Sequence, residues 1–221
     1  MSTLTTDYLD LILDLIERLP AGASLRLQNV GWDEYEHLLT QMRTHHRVSY
    51  DCGRLMIMSP LPEHEEYKET ILRLISALSE ELGINLESRG QTTFKSKQLK
   101  KGVEPDTCFY VQNAARIIGQ RTITLGVDPP PDVAVEIDTT NESRGKFHIY
   151  AALGVAEIWR YDGERIYFYQ LEGAQYVEIQ NSVAFNILTP ADLAQFVEQS
   201  KTVGQTAALA AFRQMLRSRK P

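Results

Sequence analysis

The sequence predicts a mixed α/β (α+β) fold in which a central mixed β-sheet is flanked by helices. Three observations predict it. Helical and strand periodicities alternate along the chain as helices, a hairpin, a helix, a run of strands, a helix, a second hairpin and closing helices. The chain has 221 residues, 43% hydrophobic and 24% charged, which suffices for one core. No linker-like, repeated or low-complexity stretch divides it, so a single domain over 1–221 is expected.

Residues 5–18 read as an amphipathic helix, with Leu9, Ile12, Leu15 and Ile16 at helical spacing and Leu19 continuing the stripe just beyond it. Asp7, Asp10, Asp14 and Glu17 punctuate that run, which excludes a signal peptide or a membrane span and leads us to expect a cytoplasmic protein with no membrane partner. A short helix opens at Trp32 and runs to about Arg43. Residues 48–50 and 54–58 read as strands around Asp51-Cys52-Gly53, which is hairpin chemistry. Pro60 and Pro62 stop the strand and start a long helix to about Leu82, with Gly83 at its stop and a polar pair, Glu63 and His64, in its first turn. Strands are expected over 84–88, 91–94, 106–111 and 132–137, a helix over 141–153, and a hairpin of 157–161 with 165–169. Thr189-Pro190-Ala191-Asp192 has the capping chemistry of a helix start, and a last helix is expected over 204–217.

The net charge of −6 means that a polyanion must be met by a local patch. Arg89, Lys95, Lys97, Lys100 and Lys101 form one in sequence, with no acidic residue between 89 and 102. Cys52 and Cys108 stand 56 positions apart without zinc-ligand spacing, so both are expected as small apolar residues. His37, His45 and His46 are expected at the surface. Nucleophile-elbow, dinucleotide, Walker and zincin motifs are absent.

The chemistry-bearing residues are Asp106, Glu136 and Lys146. Asp106 heads one β-run and Glu136 lies within another, where Ala134, Glu136 and Asp138 share one face and Val133, Val135 and Ile137 the other. Neighbouring strands can bring two such carboxylates to one point, where a hard cation such as Mg²⁺ or Mn²⁺ relieves their repulsion. An ammonium on the following helix then suits metal-assisted phosphodiester hydrolysis. Asp132 precedes Glu136 by four positions, about 13 Å along a strand, and is expected as a strand-start residue.

The runs 103–111, 131–137, 146–150 and 154–162, together with 50–55, 58–60 and 62–64, resemble the Uma-two family of restriction-endonuclease-like proteins, within the PD-(D/E)xK nuclease superfamily. The resemblance implies a restriction-endonuclease-like core over 30–190, an N-terminal helical extension over 1–29 and C-terminal helices over 191–221. It implies an Mg²⁺- or Mn²⁺-dependent DNA endonuclease with Asp106 and Glu136 as metal ligands and Glu63 with His64 at the entrance of the site. The superfamily's simplest pattern has Lys two residues after the second acid, where this chain has Asp138, so the resemblance gives the ammonium role to Lys146. Lys95, Lys97, Lys100 and Lys101 are then the expected phosphate-facing surface, and a homodimer is compatible with the apolar faces of the terminal helices. The alternative is a non-catalytic nucleic-acid-binding or accessory protein that keeps the fold.

Overall fold

Local chemistry sets the succession of elements, described for residues 6–43, 46–138 and 143–219 of a computed structural model. Helix α1 (Thr6–Glu17) is followed by strand β1 (Ser24–Leu27) and helix α2 (Trp32–Gln41). β2 (Arg47–Asp51) and β3 (Arg54–Met58) make the expected hairpin. Cys52 (φ 47°) and Gly53 (φ 94°) both take the left-handed backbone that a two-residue turn between twisted strands needs. α3 (Pro62–Leu82) has its proline in the first turn and stops at Gly83, φ 67°. Short strands β4 (Glu87–Ser88), β5 (Phe94–Ser96), β6 (Lys101–Val103) and β7 (Thr107–Tyr110) lead to a one-turn helix α4 (Ala114–Ile117) and to β8 (Val133–Ile137). A 3₁₀ turn, Ser143–Lys146, runs into α5 (Phe147–Leu153), and β9 (Glu157–Tyr161), β10 (Ile166–Glu172), β11 (Gln175–Ile179), α6 (Pro190–Val203) and α7 (Gln205–Arg219) complete the chain. The start of α6 is a reciprocal cap: Asp192 N donates to Thr189 Oγ1 and Thr189 N to Asp192 Oδ2, each at 3.1 Å.

These strands form two sheets. The larger, of order β11-β10-β9-β8-β7-β4, is the expected mixed sheet, with β8 and β9 parallel and its other neighbours antiparallel. The smaller, of order β1-β3-β2-β6-β5, is antiparallel throughout. Alternation on β8 sorts two cores. Val133, Val135 and Ile137 pack with α3, α6 and α7 through Leu74, Phe196 and Phe212. Ala134 lies on the other face, among Ile149, Tyr150 and Leu153 of α5 and Phe94 and Val103 of β5 and β6. A third apolar cluster fills the space between α1, α2 and the outer face of the smaller sheet, around Tyr35, Val48, Tyr50, Leu55 and Ile57.

Several elements depart from expectation. The 1–29 segment is not wholly helical, because β1 pairs with β3 at the edge of the smaller sheet. β6 and β11 are also additional strands. The helix expected from 141 begins as the 3₁₀ turn at Ser143, and its expected first residues, like residue 5 and His45, lie outside the described residues. Cys52 and His37 are exposed, whereas Cys108 and His46 are buried. β6 carries Gly102 for a steric reason: any Cβ there would collide with the Tyr35 hydroxyl.

Candidate active site

The pairing of β7 with β8 sets Thr107 against Val135, so the next step brings Asp106 alongside Glu136. The hydrogen bonds agree: the Ile137 N–H donates to Asp106 Oδ2 at 2.7 Å, where a ladder bond would otherwise run. Both acids are almost wholly buried, at 2% and 1% exposure. Lys146, the last residue of the 3₁₀ turn, reaches back to Glu136 and donates from Nζ to Oε2 at 2.8 Å. Tyr150, one helical turn later, donates its hydroxyl to Glu136 Oε1. On the other side Arg47 of β2 donates from Nε to Asp106 Oδ1 at 2.6 Å, and its remaining nitrogens reach Glu65 Oε1 at 2.9 Å and Gln91 Oε1. The acid just before β7, the acid from β8 and the amine after β8 thus meet in one buried cluster, clamped by an arginine from the smaller sheet. Glu136 stands toward the carboxyl end of the parallel β8–β9 pair, the end at which open α/β sheets bind ligands.

Electrostatics follow from burial. Desolvation raises the Glu136 carboxyl above its ordinary range; Lys146 pulls it down and the Asp106 charge pushes it up again. For Lys146 burial works against the charge, but Glu136 and Asp106 outweigh it and hold the ammonium above its ordinary range. Burial likewise opposes ionisation of Glu65, yet Lys68 and Arg47 keep its carboxyl low.

The remaining expected residues divide. His64 is buried in the first turn of α3, while Glu63 is exposed. Two positions are about 200° apart on a helix, so Glu65 is the acid of that turn which reaches Arg47. Asp132 is a strand-start residue, its carboxylate accepting from Val111 N at 2.7 Å, Asn113 N at 3.0 Å and Asn113 Nδ2 at 2.6 Å. Asp138 pairs with Arg160 at 2.7 Å and accepts from Ser143 at 2.5 Å. The lysine strip is altered by acids from elsewhere in the fold: Lys95 pairs with Glu36 at 2.7 Å, Lys97 with Asp33 at 3.0 Å and Lys101 with Asp51 at 2.5 Å. Lys100 is exposed in a left-handed turn position. A strip without acids in sequence is therefore largely neutralised in space.

Sequence reasoning passed over Arg47, Glu65 and the bond from Tyr150. The signals were present: Arg47, Ser49 and Asp51 alternate with Val48 and Tyr50, and Tyr150 follows Lys146 by four positions. Asp106 and Glu136 supply hard oxygen donors of the kind Mg²⁺ and Mn²⁺ take. Their four oxygens already have internal donors, and among the described residues no group of three or more His, Cys, Asp or Glu is placed to hold a metal ion.

The two sheets and their helices define a restriction-endonuclease-like α/β fold. The chain belongs to the Uma2 family, described as "Putative restriction endonuclease", whose family model matches residues 32–200. Its fold is similar to the crystal structure of "a putative nuclease belonging to DUF820" from Anabaena variabilis ATCC 29413, with a TM-score of 0.52 and 14% identity over 75% of this chain and 97% of that one. No curated protein matches the chain. Among the described residues no helix is long and apolar enough to cross a membrane.

Proposed function

We propose that the chain is an Mg²⁺- or Mn²⁺-dependent endonuclease hydrolysing DNA phosphodiester bonds, with Asp106 and Glu136 as metal ligands and Lys146 as the residue that orients the attacking water. The observation that carries this reading is the meeting of Asp106, Glu136 and Lys146 in one buried cluster at the end of β8. The bound cation would supply the positive charge that polarises a phosphoryl oxygen and assists ionisation of water. Lys146 keeps a second positive charge beside that point, where negative charge develops during hydrolysis. Tyr150 holds Glu136 in place, and Arg47 does the same for Asp106. Supercoiled plasmid incubated with the protein and Mg²⁺ or Mn²⁺ should be nicked and linearised. Asp106→Asn and Glu136→Gln should each lower the rate by roughly 100-fold or more, beyond what removal of a supporting partner costs. Cleavage that survives both substitutions overturns the assignment.

One observation favours a second reading, a non-catalytic nucleic-acid-binding or accessory protein. Arg47 occupies Asp106 as a built-in cation, and Lys146 with Tyr150 fills both oxygens of Glu136. A correctly folded wild type that neither cleaves plasmid nor gains stability from Mg²⁺ or Mn²⁺ identifies that case.

A further inference from the structure

We infer that the nucleic-acid strand enters over the inner face of the smaller sheet, where Arg26 and Arg54 with His148 form a phosphate-binding cleft leading to Lys146. This rests on the nuclease reading for the identity of the anion. A cleft of about 530 Å³ lies between that sheet and the start of α5, and Arg26, Ser49, Asp51, Arg54, Lys146 and His148 are among the residues lining it. Its chemistry comes from register. Arg26 stands opposite Met56, Met56 opposite Ser49, Arg54 opposite Asp51 and Asp51 opposite Lys101, and residues paired in this way share a face. One face of the four adjoining strands β1-β3-β2-β6 therefore carries Leu25, Leu27, Leu55 and Ile57 toward α1 and α2. The opposite face carries Arg26, Arg54 and Lys101.

Among the described residues, Arg26, Arg54 and Lys146 line the cleft together with one carboxylate, Asp51, in a chain whose net charge is −6. The Asp51 carboxylate takes Lys101 Nζ at 2.5 Å, His148 Nε2 at 2.9 Å and one Arg54 nitrogen. Burial opposes the charge of Asp51, but these partners hold its carboxyl far below the ordinary range. Arg54 turns one nitrogen to Asp51 while its side chain stays 72% exposed, which leaves guanidinium donors for a phosphate. His148 is half exposed at the same mouth. At the inner end of the cleft stands Lys146, already bonded to Glu136. A backbone phosphate seated on the arginines thus has its neighbours directed to the buried acids. The Lys95 and Lys97 strip, by contrast, is paired with Glu36 and Asp33 on α2.

The test is fluorescence anisotropy of a labelled duplex oligonucleotide, in chelator so that no strand is cut, across a range of salt. Arg26→Ala/Arg54→Ala should weaken binding by roughly tenfold or more, as removal of charged hydrogen bonds does. It should also make the slope of log affinity against log salt shallower by roughly two, one for each phosphate that an arginine no longer neutralises. Lys95→Ala/Lys97→Ala should leave the affinity within about twofold, because neither lysine lines the cleft and each already has an acidic partner on α2 whose charge offsets it. Circular dichroism and an unchanged melting temperature verify the fold of each variant. Equal weakening in both double variants, weakening confined to the lysine variant, or no wild-type binding overturns the cleft. Displacement of the oligonucleotide by an equimolar amount of inorganic phosphate would also overturn it, since the site would then serve free phosphate. Binding abolished with the arginines in a protein that cuts nothing keeps the cleft and removes the catalytic reading. Cleavage that needs Asp106 but ignores both arginines does the reverse.

Discussion

Two buried glutamates on neighbouring strands, Glu157 and Glu136, meet opposite fates at opposite ends of the same sheet. Glu157 opens β9, level with Val133, and is wholly inaccessible. Among the described residues its charge is met by neutral donors: Trp159 Nε1 at 2.6 Å, Ser182 Oγ at 3.2 Å, and the Val183 and Ala184 N–H groups at 3.0 Å. It fastens the chain after β11 to the sheet. Glu136, three strand positions further along, is met by an ammonium and a phenol and lies beside a second acid. Burial raises both carboxyls, so a displaced pKa does not distinguish them. The partners do: donors from main chain and indole make a fastening, and converging charges of both signs make the cluster on which the proposed chemistry rests.

Glu157 and Arg47 carry the most severe expectations. Glu157→Ala strands the Trp159 indole N–H and the Ala184 main-chain N–H in the core and frees the part-buried Val183 N–H, so urea denaturation should show a destabilisation of about 3–5 kcal/mol. Mn²⁺ should not restore it, and a milder effect than that of an ordinary core truncation would show that the loop finds other acceptors. Arg47→Met comes next. Leaving Asp106 without its buried partner should lower metal-free stability by about 3–5 kcal/mol. The rise in melting temperature with Mn²⁺ should then exceed that of the wild type, because cation and guanidinium no longer compete for the same oxygen. For the wild type, Mn²⁺ at 100 times its Kd should add about 2.7 kcal/mol, and Glu136→Gln should abolish that gain. An equal gain in both would remove Glu136 from the ligand set.

The mildest change concerns acid. Burial works against the Asp138 charge, but Ser143 and Arg160 outweigh it and hold the carboxyl below its ordinary range. Its stabilisation is therefore full above the unfolded value of about 3.9 and disappears as pH falls through the folded one. Urea midpoints taken downward from about pH 6 should fall below about pH 4 in the wild type, and the fall should be shallower in Asp138→Asn. Parallel curves would mean that the Arg160 pair forms equally in the unfolded chain.

Glu136 was legible in sequence because an acid among Val133, Val135 and Ile137 has no reason to be there in a buried strand. α3 and α6 were legible because Pro, Gly and a Thr–Asp cap mark their ends. β1, β6 and β11 escaped because short edge or glycine-bearing strands such as Ser24–Leu27 and Lys101–Val103 have little periodicity to read. Arg47 escaped for a different reason. Alternation says that Arg47, Ser49 and Asp51 share a face, but an ordinary wetted sheet reads the same way. Only the arrival of the second sheet turns that face inward, and such a long-range event leaves no local mark. The same holds for the lysine strip, whose neutralising acids come from α2 and β2.

Arg47 belongs to the smaller sheet, Asp106 to the larger, and Glu65 to the long helix that joins them in sequence. One guanidinium thus acts as a rivet through three layers, and any relative sliding of the sheets must shear it. Amide protons of β2 and β8 should in consequence exchange with solvent as a single cooperative unit.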